Sequence, residues 1–327
     1  MVKLIKKVPE SQEKLLYTGD APLLRLLNHI SESFFNKYKE GKALVFGPEC
    51  TVKNPFTDQC GKPDITVEWV KSDTFPEINY SDKSPSKNWT ELAAVGEVKV
   101  SKSGQYQLAS YLRNLLQFHP ELNAVLGFTA RAVGYALFYH DAAVIHRSEF
   151  GWEPGPLYAF IETLYTRPFQ DTSMQIQNAK APTWATKIGN DVYLSSMADA
   201  HPGPGQRRYT TKAVNHVKNE VVFIKDIWRD EGRLFFEGLL LKQAHEGQSL
   251  CGLILPKAHG YVLDETQTPI RTTLLNPEPA AEQAKGRFKM RLVTKEIGGP
   301  LDGVHSLSKF LCAMYDACVV SDLASRH

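Results

Sequence analysis

The chain has 327 residues, 43% of them hydrophobic, and a formal net charge of +2, enough to bury a substantial core in one large or two medium domains. That composition excludes a disordered chain, and the near-neutral balance leaves no bulk electrostatic case for nucleic acid, so any basic surface has to be local. Five cysteines, Cys50, Cys60, Cys251, Cys312 and Cys318, form no Cys-x-x-Cys pair or zinc-ligand spacing and read as reduced thiols.

The amino end carries no apolar stretch of signal-peptide length, and no run of about 18 apolar residues occurs anywhere. The expectation is a soluble protein of cytoplasm or nucleus with no membrane partner. Asn88-Trp89-Thr90 matches a glycosylation acceptor, which without a secretory signal reads as coincidence.

In chain order, Leu23, Leu24, Leu27, Ile30, Phe34, Phe35 and Tyr38 recur at helical spacing and Glu40-Gly41 supplies a stop, predicting an amphipathic helix over 23–38. Short apolar runs at 43–46, 65–70 and 92–100 predict strands separated by Pro, Gly, Asp and Ser clusters. Residues 103–118 place Leu108, Leu112, Leu115 and Leu116 on one side of a helix, with Ser101 or Ser103 as its N-cap. Strands follow at 124–128, 135–139 and 142–145. Between Arg167 and Asn190 the chain turns polar and aperiodic, with Pro168 and Pro182, and reads as a linker. The expected organisation is 1–166, a linker over 167–194, and 195–327. The second half predicts strands at 209–217 and 221–224, a helix over 229–245, strands at 251–255 and 288–293 with a loop over 264–285 between them, and a helix over 307–321.

Three short runs carry chemistry in the first half: Pro63-Asp64, Gly96-Glu97-Val98-Lys99 and Gln107-Leu108-Ala109-Ser110-Tyr111. Strand side chains alternate faces, so Glu97 and Lys99 point one way and Val98 and Val100 the other. On the preceding strand Ile65, Val67 and Trp69 share a face, which leaves Asp64 on the opposite one, able to converge with Glu97. Two carboxylates suit a hard cation and leave positions open for water and a substrate phosphate. Lys99 then stands beside the attacking water or the developing negative charge. Gln107 and Tyr111, at i and i+4, share a helix face from which they contact a backbone phosphate or orient the lysine. Against this stands the plainer reading of an acid and a lysine on a solvated strand face, and of Gln and Tyr as helix boundary residues.

The order of these residues resembles the PD-(D/E)xK nuclease superfamily, and Gln-Leu-x-x-Tyr after the lysine is similar to its RecB-like branch. The resemblance implies an α/β fold with a restriction-endonuclease-like mixed sheet flanked by helices, Asp64, Glu97 and Lys99 as catalytic residues, and Asp64 and Glu97 as ligands of magnesium or manganese. It further implies Gln107 and Tyr111 as substrate-positioning residues and nucleic acid as the partner. The family's additional acid on the first helix corresponds to Glu32 or Glu40, and both stay open.

In the second half, Val222-Phe223-Ile224-Lys225-Asp226 is a short strand with one lysine, followed by Glu231, Glu237 and Glu246 in a helical stretch. A strand lysine paired to a helix glutamate is how kinases brace ATP phosphates. Upstream, His201-Pro-Gly-Pro-Gly-Gln-Arg-Arg-Tyr209 carries Gly203 and Gly205 but Arg208 where a third glycine belongs, and reads as a plain turn. Lys225-Asp226-x-Trp228-Arg229-Asp230-Glu231-Gly232-Arg233, with Trp89, Glu97-Val98-Lys99, 107–111 and 138–147, resembles the fungal-type protein kinase family. This implies a kinase-like amino-terminal lobe, α+β, over about 195–300, with Lys225 and Glu237 as nucleotide-binding residues, ATP as a second candidate ligand, and 288–299 as last strand and hinge. No His-Arg-Asp loop or Asp-Phe-Gly segment follows, so an active protein kinase is not expected of this chain. A fragment of a longer kinase and a pseudokinase-like scaffold for nucleotide or protein both remain open. In either, the Leu307, Phe310, Leu311 and Met314 face is expected to meet a protein partner or the missing lobe. His140, Asp141 and His146 read as surface or structural, Cys312 and Cys318 as packing residues, and no Gly-x-Ser-x-Gly motif supports a serine hydrolase.

Overall fold

The computed structural model describes residues 1–55, 58–80, 85–98, 103–196, 208–230, 232–233, 236–247, 253–272, 286–295 and 306–311. The chain divides into two units, Met1–Thr172 with Ile176–Pro182, and Ser173–Gln175 with Thr183–His327.

The first unit opens with α1 (Val2–Ile5), a 3-10 segment (Glu10–Leu16) and α2 (Pro22–Tyr38), then β1 (Lys42–Pro48), β2 (Val52–Lys53), β3 (Cys60–Gly61) and β4 (Ile65–Lys71). It continues with β5 (Lys87–Asn88), a 3-10 turn (Trp89–Glu91), β6 (Leu92–Val98), α3 (Ser103–Phe118), β7 (Ala124–Arg131), β8 (Gly134–Asp141), β9 (Ile145–Phe150) and α4 (Pro154–Thr166). The main sheet has the order β1-β4-β6-β7-β8-β9, and β3-β2-β5 form a small second sheet. Within the main sheet β6 and β7 run parallel, and the other neighbours run antiparallel. A parallel pair needs a crossover rather than a hairpin, and α3 supplies it.

Helix α2 starts with Pro22 at its first turn and ends at Lys39, whose left-handed backbone (φ 51°) returns its N–H to the Phe35 carbonyl. Its apolar stripe packs on the sheet, and its polar residues close the sheet's edge. Asn28 exchanges two hydrogen bonds with the Phe46 backbone, Ser31 Oγ donates to the Leu44 carbonyl, and Tyr165 accepts the Leu44 N–H. These side chains satisfy the outward backbone groups of edge strand β1, which would otherwise be a template for another strand.

Ile65 and Val67 of β4, Ala94 and Val98 of β6 and Phe128 and Ala130 of β7 join residues of α2 and α4 in one apolar core. Gly96 lies on that face, where an added Cβ would stand 2.4 Å from the Phe128 ring. Gly96→Ala is therefore expected to destabilise the first unit by about 1–3 kcal/mol through overpacking, read as a lowered midpoint in chemical denaturation; an unchanged midpoint contradicts the packing described. The opposite face receives α3, since a Cβ on Gly127 would meet Leu112 at 2.8 Å and Leu108 at 3.3 Å. The expected strand at 142–145 is displaced: Asp141 Oδ1 accepts the N–H groups of Ala143 and Val144, making that stretch the turn and starting β9 at Ile145.

The remaining elements are β10 (Met174–Asn178), β11 (Thr183–Ile188), β12 (Asp191–Ser196), β13 (Arg208–Asn215), β14 (Glu220–Asp230), α5 (Glu237–Ala244), β15 (Pro256–Tyr261) and β16 (Arg287–Thr294). They build a seven-stranded sheet, β10-β11-β12-β13-β14-β16-β15, with antiparallel registers from β11 to β15. Two sequence expectations are corrected here. The chain does divide between its units within the expected linker over 167–194, but that stretch carries β10, β11 and the start of β12; Trp184 and Tyr193 are fully buried anchors, and Gly189, at φ +61°, makes the hairpin turn. The helix expected from 229 begins only at Glu237, because the alternation of buried Val222, Ile224, Asp226 and Trp228 carries β14 through to Asp230.

The strand expected at 251–255 is not seen over the described residues 253–255, and β15 begins only at Pro256; Cys251 lies outside the described residues. Of the helix expected over 307–321, 307–311 is helical, and Met314, Cys312, Cys318 and the rest lie outside the described residues. Among the described residues no helix is long and apolar enough to cross a membrane.

Candidate active site

Ile65 pairs with Gly96 across β4 and β6. Extending that antiparallel register by one residue sets Asp64 across from Glu97, and directly opposed residues send their side chains to one face. Ile65 also pairs with Pro48 of β1, so the same extension sets Glu49 beside Asp64 on the other side. Of these acids Glu49 is exposed, Asp64 buried and Glu97 fully buried at 0% exposure. Glu97 is also the register partner of Thr129 on β7.

Asp64 is held from two sides. Its Oδ2 accepts the Val98 N–H at 2.9 Å, and its Oδ1 accepts the Tyr17 hydroxyl at 3.0 Å. Burial pushes the Tyr17 hydroxyl far above its ordinary range, and the charges of Asp64, Glu49 and Glu97 and the hydrogen bond to Asp64 push it the same way. The phenol therefore keeps its proton and acts as a donor throughout the working pH range.

Gln107 and Tyr111 brace the segment leading into Asp64. Gln107 Nε2 donates to the Tyr111 hydroxyl at 2.7 Å, and that hydroxyl also accepts the Lys62 N–H at 3.3 Å. The Tyr111 ring lies 5.7 Å from that of Trp89, and Gly61 fits against both rings, since a Cβ there would stand 2.8 Å from Trp89 and 3.1 Å from Tyr111. Helix α3 is thereby tied to 61–62, one residue before Pro63-Asp64. Lys99 lies outside the described residues, as does the stretch 99–102 that joins β6 to α3.

Of the two open candidates for a further acid, Glu32 is exposed on α2, and Glu40 bonds Arg167 at 2.7 Å and approaches Lys42 to 3.7 Å at the far end of β1. Among the described residues no three Asp, Glu, His or Cys groups converge as a ligand set for an ion. The donor chemistry of Asp64 and Glu97 nevertheless suits magnesium or manganese, which accept carboxylate oxygens and keep several waters. Each Asp64 oxygen accepts one protein hydrogen bond and has capacity for another interaction.

In the second unit Lys225 of β14 meets Glu237 at the first turn of α5, Nζ to Oε2, at 2.6 Å. Gly238 sets the helix close, since a Cβ there would stand 2.5 Å from the His259 side chain of β15. Asp226, the next residue along β14, turns to the buried face. It receives Arg291 through Nε and Nη2, both at 2.7 Å, with Lys289 Nζ at 3.8 Å, while Arg291 Nη1 donates to Ser173. This bidentate pair locks β14 to β16 and so fixes where Lys225 stands. The glycine-containing stretch from His201 to Arg207, and Glu231, lie outside the described residues. His140 and Asp141 serve the β8–β9 turn through Val144 and Ala143.

Comparison with protein-family models, curated proteins and solved structures returns no significant match.

Proposed function

We propose that the first unit cleaves nucleic-acid phosphodiesters with a divalent metal, as a restriction-endonuclease-like domain of the PD-(D/E)xK kind. The observation that carries this reading is the pairing of Ile65 with Gly96, which brings the chain at Asp64 and at Glu97 alongside each other, with both Asp64 oxygens already held by donors. The order α2, β1, β4, β6, α3, β7 supports it further, because it sets the two acids on neighbouring strands and the Gln107–Tyr111 helix directly after them. A bound magnesium or manganese ion supplies Lewis-acid stabilisation of charge on the phosphate oxygens. Asp64 and Glu97 would hold it, on segments joined by the β4–β6 ladder. Gln107 and Tyr111 keep the Asp64 segment in place, and Lys99, assigned by its spacing from Glu97, offers a cation to the attacked phosphate. The test is incubation of purified protein with single- and double-stranded DNA and RNA, with Mg²⁺, Mn²⁺ or chelator. Cleavage in metal alone is the expected result, and intact substrates under every condition contradict the reading.

A second reading concerns the other unit and rests on the Lys225–Glu237 ion pair. The strand order β12-β13-β14-β16-β15, with α5 between β14 and β15 in the chain, supports a kinase-like amino-terminal lobe that binds a nucleotide such as ATP. Phosphoryl transfer is no part of this proposal, as the sequence holds no His-Arg-Asp or Asp-Phe-Gly segment. Leu307 and Leu311, both exposed, are where the same reading puts a protein partner. ATP is expected to raise the melting temperature of the wild-type chain, and Lys225→Ala to remove most of that shift. Equal shifts in both proteins, or none in either, count against nucleotide binding at Lys225.

A further inference from the structure

We infer that Tyr17 is a positioning residue of the acid pair, its hydroxyl holding the Asp64 carboxylate in the orientation from which it shares a divalent cation with Glu97. This rests on the metal-dependent reading proposed above. Tyr17 is 47 residues from Asp64 in the chain and is buried with it. It follows the 3-10 segment Glu10–Leu16, returns its own N–H to the Lys14 carbonyl, and sits in the main core beside Leu16, Ile5 and Ala21. A tyrosine ring in an apolar core needs one acceptor for its hydroxyl. Here that acceptor is the Asp64 carboxylate, and the amino-terminal segment is thereby part of the site.

The physical case is one of two restraints on one soft torsion. The terminal torsion of an aspartate is broad, with no sharp staggered wells to hold the carboxylate plane. The Val98 N–H fixes Oδ2 from the strand that also carries Glu97, but one hydrogen bond leaves the plane free to rotate about it. The Tyr17 hydroxyl fixes Oδ1. Together they define the plane, and with it the direction of the remaining lone pairs. Tyr17 itself makes no contact with an ion in this scheme; it acts through Asp64. Partners of this kind typically change metal affinity by roughly 10–100-fold when removed.

The experiment is calorimetric titration of Mn²⁺ into wild-type protein and Tyr17→Phe, which keeps the ring and deletes only the hydroxyl. Affinity about tenfold weaker in Tyr17→Phe is expected, together with a higher Mn²⁺ concentration for half-maximal cleavage. Equal affinity in the two proteins, even with a lowered melting temperature in chelator, makes Tyr17 a packing residue and overturns the inference while leaving the metal reading intact. Wild-type protein that takes up no Mn²⁺ overturns the metal reading itself and this inference with it. Should Tyr17→Phe fail to fold, the wild-type chain labelled with ¹³Cζ-tyrosine answers the question: the Tyr17 resonance is expected to move as Mg²⁺ saturates the site, and an unmoved resonance overturns the proposal.

Discussion

Asp64→Asn and Glu97→Gln are each expected to reduce metal-dependent cleavage by about 10²–10³-fold. Both exchanges keep side-chain size and delete one charge, so the loss reports on the cation and the phosphate rather than on shape. The two differ in what they do to the fold. The amide introduced by Asp64→Asn keeps one acceptor for two donors, Val98 N–H and Tyr17 O–H, and the disrupted hydrogen bond costs about 1–3 kcal/mol. Glu97→Gln meets no such conflict with those two donors and leaves a regular strand in place. Lys99→Ala should fall by a similar factor in rate, about 10²–10³-fold, while Mn²⁺ binding stays at the wild-type level, because its assigned place is beside the phosphate. Steady-state cleavage and Mn²⁺ titration on the same three variants separate these roles. Retained cleavage in either acid variant removes the acid pair from the mechanism.

The largest stability effect is expected at Arg291. Arg291 and Asp226 are direct register partners on β16 and β14, both buried, joined by two parallel hydrogen bonds of 2.7 Å. A planar guanidinium matches a carboxylate in a way no other side chain does. Arg291→Leu leaves the Asp226 carboxylate inside the sheet with the Lys289 ammonium, 3.8 Å away, as its described ionic contact. Breaking a buried pair from one side costs about 3–5 kcal/mol, far more than a surface ion pair is worth. Because the chain has two units, the loss should appear as an early transition of the second unit in chemical denaturation, with the other transition in place. Nucleotide stabilisation should weaken as well, since the pair sets the strand that carries Lys225. A single unchanged transition contradicts this account of the sheet.

How far the sequence revealed these features depends on how local their causes are. Helices α2 and α3 were legible because their apolar stripes recur at the helical period, and Asp64 could be placed opposite the Ile65, Val67 and Trp69 face because strands alternate. Gln107 and Tyr111 stood out by spacing, but that they brace Lys62 and Gly61 depends on where β3 and the Trp89 turn fold, which no local pattern encodes. Tyr17 and Glu49 escaped notice for the same reason. Neither belongs to a motif, and each is brought toward Asp64 only after β1 and the amino-terminal segment have packed. β11 and β12 read as linker because burial and polarity do not coincide there: Val192 and Leu194 face outward while Thr186 and Ser195 are buried, so no apolar alternation marks the strands. Asp226, Lys289 and Arg291 look like a solvated charged face until the registers of β14 and β16 bury them together, and Lys87, paired with Glu68 at 2.6 Å and almost fully buried, is a second case of that kind.

The most direct test of the acid pair is a crystal of the wild-type chain soaked in Mn²⁺ and measured at the manganese absorption edge. The account predicts one anomalous peak within coordination distance of the carboxylates of both Asp64 and Glu97, with the Tyr17 hydroxyl still donating to Asp64. A peak bound elsewhere with this site lacking one, or carboxylates that stay apart at saturating Mn²⁺, contradicts it.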